Sequence, residues 1–381
     1  MLILMVGGGS GGHVTPLKAV AKHLFILEDE VTIEVLTDTR FYPQAQEIFA
    51  DMPEVRVKKV TAGKLRRYNS KSFAWHVTHV PTLLHNFIDV FKIAIGVFQS
   101  LLRFLRRRPA LVFSKGGFVS VPVCIAAHLF RVPIIIHDSD AHPGLSSRIV
   151  SRWAARIATG MPTKFYRYPT SKTVYTGIPV NALYKPTNEA SQAEQKKVLG
   201  FDSAPLLLMT GGGNGAERLN AALELVAEPL INDGWQIVQI TGSGKDQAAR
   251  ASRQLLSAEK RGRWRIEEFV DLVPYVLAAD VVVTRTGATT MQELANAKKA
   301  CVTVPSWFLS GGHQLKNAEI FRTKKAAVVL DEQLVEDDVA VLLAAVHKAY
   351  DEKQQLGSTL YATFAKPEAA KTIASLVLSQ L

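Results

Sequence analysis

A chain of 381 residues, 48% hydrophobic and 21% charged, carries enough apolar sequence for two cores of ordinary size and no tract that excludes folding. Its net charge of +11 directs it to anionic partners: phosphorylated small molecules, acidic lipid surfaces or nucleic acid. Nucleic acid is set aside, because no helix-turn-helix, zinc-ligand spacing or aromatic-basic single-strand pattern occurs. The two cysteines, Cys124 and Cys301, lie inside apolar runs and read as reduced packing residues, which suits the cytoplasm. The apolar start Met1–Val6 has no basic leader, and the most hydrophobic helical stretch, Ile93–Leu102, is about half the ~20 residues a bilayer span needs.

In chain order, short β-branched apolar runs alternate with amphipathic stretches, the pattern of parallel strands joined by crossover helices. Strands are predicted at Leu2–Val6, Val31–Leu36, Val55–Val60, Leu111–Ser114, Val132–His137 and Arg156–Thr159. A second series follows at Leu206–Thr210, Gln236–Thr241, Arg265–Phe269, Val281–Thr284, Ala300–Val304 and Ala326–Leu330. The proline-bearing stretch Met161–Pro186 separates them. Leu-Ile-Leu-Met-Val-Gly-Gly-Gly-Ser-Gly from Leu2 is echoed by Leu-Leu-Leu-Met-Thr-Gly-Gly-Gly-Asn-Gly from Leu206, so two like-built α/β halves are expected to face a common cleft. The expected domains are 1–160 and 161–356, with a C-terminal helix over 357–381 packing back on the first.

Glycine turns between a strand and a helix let the backbone approach a phosphate at the positive helix end. Three occur: Gly8 to Gly12, Gly116–Gly117 before Phe118-Val119-Ser120, and Gly211 to Gly215. His13 stands at the start of the first helix, where the helix end favours a neutral ring that can serve as a base; a capping histidine is the alternative. Thr284-Arg285-Thr286-Gly287-Ala288-Thr289-Thr290 leads into a helix whose second turn holds Glu293, placed to accept ribose hydroxyls or merely to favour the dipole. Gly311-Gly312-His313-Gln314-Leu315-Lys316-Asn317 opens another helix with groups suited to sugar hydroxyls. Asp138-Ser139-Asp140 spells a metal-diphosphate signature of a different architecture, so no metal site is assigned to it. Leu84, Phe87, Phe91, Phe98, Leu102 and Leu105 form a helical apolar stripe, flanked by Lys64, Arg66, Arg67, Lys71 and Arg103 to Arg108, that reads as a surface for an anionic membrane or as core.

Taken together, these segments resemble the MurG family of GT-B glycosyltransferases, from Gly8 through His13 to Lys366-Pro367-Glu368-Ala369-Ala370, by way of His137-Asp138-Ser139-Asp140 and Thr176-Gly177-Ile178-Pro179-Val180. The resemblance implies two Rossmann-like domains and inverting transfer of N-acetylglucosamine from UDP-N-acetylglucosamine to a polyprenyl-diphosphate-linked muramyl-peptide. The setting it implies is peripheral, at the cytoplasmic face of the bacterial membrane. By the same resemblance Ser10, Gly11, Gly12, Gly212, Gly213, Asn214, Val270, Thr286, Gly287, Ala288, Thr289, Glu293, His313, Gln314 and Asn317 serve the donor. Gly116, Gly117, Ser120 and His137 serve the acceptor diphosphate, and His13 or Asp140 takes the acceptor proton, with no cofactor and no protein-bound metal. The family usually has glutamate and asparagine where this chain has Asp138 and Asp140, an arginine where it has Asn181, and serine-glutamine where it has Gly213-Asn214. Rival readings are a diacylglycerol glucosyltransferase, a UDP-N-acetylglucosamine 2-epimerase and an inactive UDP-sugar-binding partner.

Overall fold

The computed structural model describes all residues except 10, 66–78, 213–214 and 308–311. It contains two compact units, Met1–Val180 with Glu368–Leu381, and Asn181–Pro367. The first unit therefore runs past the expected end at 160. The extra segment holds a strand not read from the sequence, Thr173–Tyr175, hidden by its brevity and its proline-rich surroundings. The expected terminal helix over 357–381 is two helices: Lys353–Phe364 stays with the second unit and Ala369–Leu378 joins the first.

In the first unit β1 (Leu2–Val6), β2 (Thr32–Thr37), β3 (Arg56–Lys59), β4 (Leu111–Ser114), β5 (Ile134–Asp138), β6 (Arg156–Thr159) and β7 (Thr173–Tyr175) form a parallel sheet ordered β3-β2-β1-β4-β5-β6-β7. β1 is buried on both faces, hence its unbroken apolar run. Ile3 and Met5 pack with Val14, Leu17 and Leu24 of the Gly11–Leu27 helix and with Ile373 and Val377 of the terminal helix. Leu4 and Val6 pack on the other face with Val119 and Val123.

In the second unit β8 (Leu206–Thr210), β9 (Gln236–Ile240), β10 (Trp264–Glu267), β11 (Val281–Thr284), β12 (Ala300–Thr303) and β13 (Val328–Val329) form a parallel sheet ordered β10-β9-β8-β11-β12-β13. Every strand read from the sequence is present, with ends moved by at most two residues. In each sheet the strand order reverses beside the opening strand, at β1/β4 and at β8/β11. Crevices at such reversals, outside the carboxyl ends of the strands, are where doubly wound sheets take ligands. The glycine turns after β1, β4 and β8, and the turn after β11, all lie there.

The Val80–Arg106 helix has an unusual polarity. Its buried residues are Thr82, Asp89, Gly96, Ser100 and Phe104, while Leu84, Phe87, Phe91, Phe98 and Leu105 are exposed. Small residues draw it close to the chain beneath it: a Cβ on Gly96 would lie 1.9 Å from the Thr61 carbonyl oxygen, and one on Gly63 2.0 Å from that of Asp89. The apolar stripe is thus surface along its whole length, and not core.

Candidate active site

At the first reversal, Val6 and Ser114 are register partners, which sets the loops after β1 and β4 side by side. Gly116 and Gly117 both take left-handed backbone, with φ of 95° and 81°. A Cβ on Gly117 would stand 2.8 Å from the Gly8 carbonyl oxygen and 3.2 Å from His13 Nδ1, so only glycine allows this approach. His13 is half-buried, and its Nδ1 meets the Gly8 carbonyl oxygen at 2.9 Å. Because a carbonyl only accepts, Nδ1 carries the proton and Nε2 is left as the basic nitrogen. Burial first, and then the nearby Lys115 ammonium, push the His13 pKa down to about 4; Asp140 works in the opposite direction. The ring is neutral at physiological pH.

Beside it lies a buried charged cluster at the ends of β4 and β5. Lys115 Nζ donates to Ser139 Oγ at 2.6 Å. Asp138 accepts from the Tyr168 hydroxyl at 2.8 Å, and burial raises its carboxyl to about 7. Asp140 interacts electrostatically with both His13 and Lys115. Lys115 escaped the sequence reading; its signal is a lone lysine ending a buried strand directly before a glycine pair.

Two residues expected at the acceptor diphosphate, His137 and Ser120, are buried. His137 is fully buried, and its Nε2–H donates to the Gly177 carbonyl oxygen at 2.8 Å. The Ser120 hydroxyl is buried too, donating to the Gly116 carbonyl oxygen at 2.8 Å and accepting from Ser114. The Ser120 bond ties the helix start to the glycine loop, while His137 Nδ1 is buried with no partner. Just after β2, the Asp38 carboxylate takes the N–H groups of Gly9, Arg40 and Phe41. Gly11 and Gly12 open the first helix, and Ser10 lies outside the described residues.

At the second reversal, Gly212 is left-handed at φ 78° and Gly215 N–H closes the turn on its carbonyl oxygen at 2.9 Å. Gly213 and Asn214 lie outside the described residues. Gly287 caps the Ala288–Asn296 helix, whose first N–H groups, from Ala288 and Thr289, have no earlier turn to bond. Arg285, within the same motif, is structural: it donates to the Val304 carbonyl oxygen at 2.9 Å and pairs with Glu332. The hydroxyl of Thr286 is buried without a partner, and Asn317 Nδ2 reaches the Thr286 carbonyl oxygen at 3.4 Å. Gln314 Oε1 accepts the Ser306 N–H at 2.9 Å, His313 opens the same helix after left-handed Gly312, and Val270 is half-buried in the loop after β10.

Glu293 is the group that stands out. Burial alone raises its carboxyl to about 8, and among the described residues nothing donates to it. Buried Tyr184 lies in its electrostatic reach. A desolvated carboxyl with so raised a pKa is the kind of group that clusters at functional sites. Among the described residues no group of acidic, histidine and cysteine side chains could hold a metal ion.

Residues 3–159 match the glycosyltransferase family 28 N-terminal domain and residues 206–375 its C-terminal domain. A UDP-N-acetylglucosamine--N-acetylmuramyl-(pentapeptide) pyrophosphoryl-undecaprenol N-acetylglucosamine transferase of Clostridium botulinum (strain Hall) is 33% identical over 350 residues, 89% of this chain and 88% of its own. One of the same name from Lachnospira eligens is 32% identical over 356 residues, 93% of this chain and 92% of its own. The crystal structure of Acinetobacter baumannii MurG shares the fold with a TM-score of 0.72 at 22% identity, each chain covered to 99%. The chain is therefore a glycosyltransferase of family 28, and belongs to its MurG group.

Proposed function

We propose that this chain transfers N-acetylglucosamine from UDP-N-acetylglucosamine to a polyprenyl-diphosphate-linked muramyl-peptide, with inversion and without a metal. In this reading the second unit binds the donor: Glu293 accepts the ribose hydroxyls, the Ala288 and Thr289 N–H groups meet the diphosphate, and Gln314 reads hydroxyls of the sugar. The first unit supplies the base. His13 Nε2 takes the acceptor hydroxyl proton as that oxygen bonds to the anomeric carbon, and the bond from that carbon to the diphosphate oxygen breaks as UDP leaves with its electron pair.

Two observations support the reading, one in each unit: a neutral His13 whose Nδ1 is held by the Gly8 carbonyl oxygen, and a Glu293 carboxyl to which nothing among the described residues donates. Docking of the first unit on an anionic membrane surface is part of it. No helix among the described residues is long and apolar enough to cross a bilayer, yet the Val80–Arg106 helix exposes an apolar stripe ending in Arg103 and Arg106, with Lys64 exposed nearby in sequence. Apolar and basic groups together suit reversible docking. Arg66, Arg67 and Lys71, expected to add to it, lie outside the described residues.

The test is incubation with UDP-N-acetylglucosamine, with and without the lipid-linked muramyl-peptide or diacylglycerol, following UDP and sugar products. The expected outcome is UDP release coupled to a disaccharide-bearing lipid. Epimerised donor without acceptor, or transfer to diacylglycerol alone, overturns the reading.

A further inference from the structure

Lys115 is only 2% exposed, yet among the described residues its ammonium makes a single hydrogen bond, to Ser139 Oγ, and no ion pair within salt-bridge distance. Two of its three donors are unspent. Asp138 and Asp140 act on it through space, and Asp138 takes its hydrogen bond from Tyr168. Burial lowers the Lys115 pKa only to about 8, because Asp138 and Asp140 hold it up, so the ammonium is charged at neutral pH. An unpaired buried cation is costly, and a lysine stem can usually carry its head to water. Here the stem ends instead between the loops after β1, β4 and β5, at the reversal of the sheet, next to the left-handed Gly116–Gly117 pair. Free ammonium donors beside a glycine turn make a receptor for phosphate oxygens.

We propose that Lys115 is a binding residue for the acceptor's diphosphate, and that the bound anion, by cancelling the lysine's field, makes His13 a stronger base only when acceptor is in place. The inference rests on the transfer reading above and names the group that recognises its acceptor. Among the described residues the charges acting on His13 are Lys115 and Asp140, and those acting on Lys115 are Asp138 and Asp140; Lys115 also acts on His137, which is held neutral. Anion binding therefore removes the cationic influence on His13 and leaves the acidic one.

The experiment uses the full chain with 13C-labelled histidine, saturated with UDP, titrated with inorganic pyrophosphate; His13→Gln assigns the His13 signal. The expected result is that pyrophosphate binds in the presence of UDP and raises the His13 pKa. In Lys115→Met that pKa is already raised without ligand, and pyrophosphate affinity falls about tenfold or more. Lys115→Arg keeps both the binding and the shift. A merely structural lysine would show itself in Lys115→Met as a lower melting temperature with pyrophosphate affinity unchanged. That result, or equal affinity and an equal His13 shift in Lys115→Met and parent, overturns the proposal. Displacement of pyrophosphate by UDP also overturns it, because the anion at Lys115 is then the donor's. If parent protein gives the expected titration but no transfer to the lipid-linked muramyl-peptide, the transfer reading fails while the anion site stands.

Discussion

His13 Nδ1 donates to the carbonyl oxygen of Gly8 at 2.9 Å, and that one bond fixes which nitrogen can act. The same ring has its pKa lowered to about 4 by burial and by Lys115. Protonation of a group with a lowered pKa begins only well below its ordinary value, so the acid limb of kcat/KM belongs near pH 4 and not near 6.5. His13→Ala should lower kcat about 100- to 10,000-fold with UDP affinity little changed. His13→Asn keeps a hydrogen-bonding group without basicity and should fall as far. If His13→Asn retains both full kcat and the acid limb, Asp140 becomes the base.

Glu293 has a carboxyl raised to about 8 by burial. With the folded pKa above the unfolded one, the protonated folded state is favoured: the contribution to stability is full below the unfolded value near 4.5 and is lost as pH rises through 8. Glu293→Gln should therefore be more stable than the parent at pH 8, with a melting temperature higher by about 2–4 °C for each kcal/mol recovered in a domain of this size, and no different at pH 4. UDP affinity should move the opposite way, weakening by roughly 1.5–3 kcal/mol as the charged hydrogen bonds to the ribose are lost. A 2′,3′-dideoxyribose donor should be nearly indifferent to the substitution; calorimetric titrations with equal losses for both donors would remove the ribose assignment.

Much of this was legible in the sequence because its signals are local. A strand buried on both faces reads as an apolar run, and a glycine turn reads as a turn, so β1, β4, β8 and β11 and their loops were placed from the residues alone. What a side chain does once buried is decided by neighbours far away in sequence. That His137 is buried with its Nε2 on the Gly177 carbonyl oxygen, forty residues on, has no local signal. Lys115 has no local signal for its bond to Ser139, twenty-four residues on. The short edge strand Thr173–Tyr175 has no buried face to advertise it; all three residues are partly or wholly exposed. Neither the twenty-residue misplacement of the domain boundary nor the splitting of the terminal helix has a signal stronger than the prolines around them.

Gly117 packs where a side chain would strike the Gly8 carbonyl oxygen, at φ 81°. Gly117→Ala should cost about 1–2 kcal/mol of backbone strain and push His13 off its Gly8 bond. The expected outcome is a loss of kcat greater than the loss of stability, with UDP affinity unchanged. Gly212→Ala, also left-handed but with nothing within 4 Å of its Cβ, carries the strain without the collision and should leave the His13 acid limb in place. Equal effects of the two substitutions on that limb would show that Gly117 acts through strain alone.

The exposed stripe on the Val80–Arg106 helix separates docking from folding in a way core residues cannot. Phe87 and Phe98 are each 62% exposed, so replacing them removes little packing; Phe104, on the opposite face, is 1% exposed. Burying a phenylalanine in an apolar phase is worth about 1.5–3 kcal/mol, and a glutamate in its place adds repulsion from anionic headgroups. Phe87→Glu with Phe98→Glu should weaken binding to phosphatidylglycerol vesicles by at least about tenfold, leave the melting temperature within about a degree of the parent, and leave UDP affinity unchanged. Turnover on an acceptor embedded in vesicles should fall with the docking, while turnover on a water-soluble acceptor analogue should not. Phe104→Ala should do the reverse, lowering the melting temperature through a cavity in the core and altering vesicle binding only as far as the helix is lost. If the double glutamate variant sediments with vesicles as the parent does at low salt, the stripe is not the docking surface, and the basic residues at the helix end must hold the membrane without it.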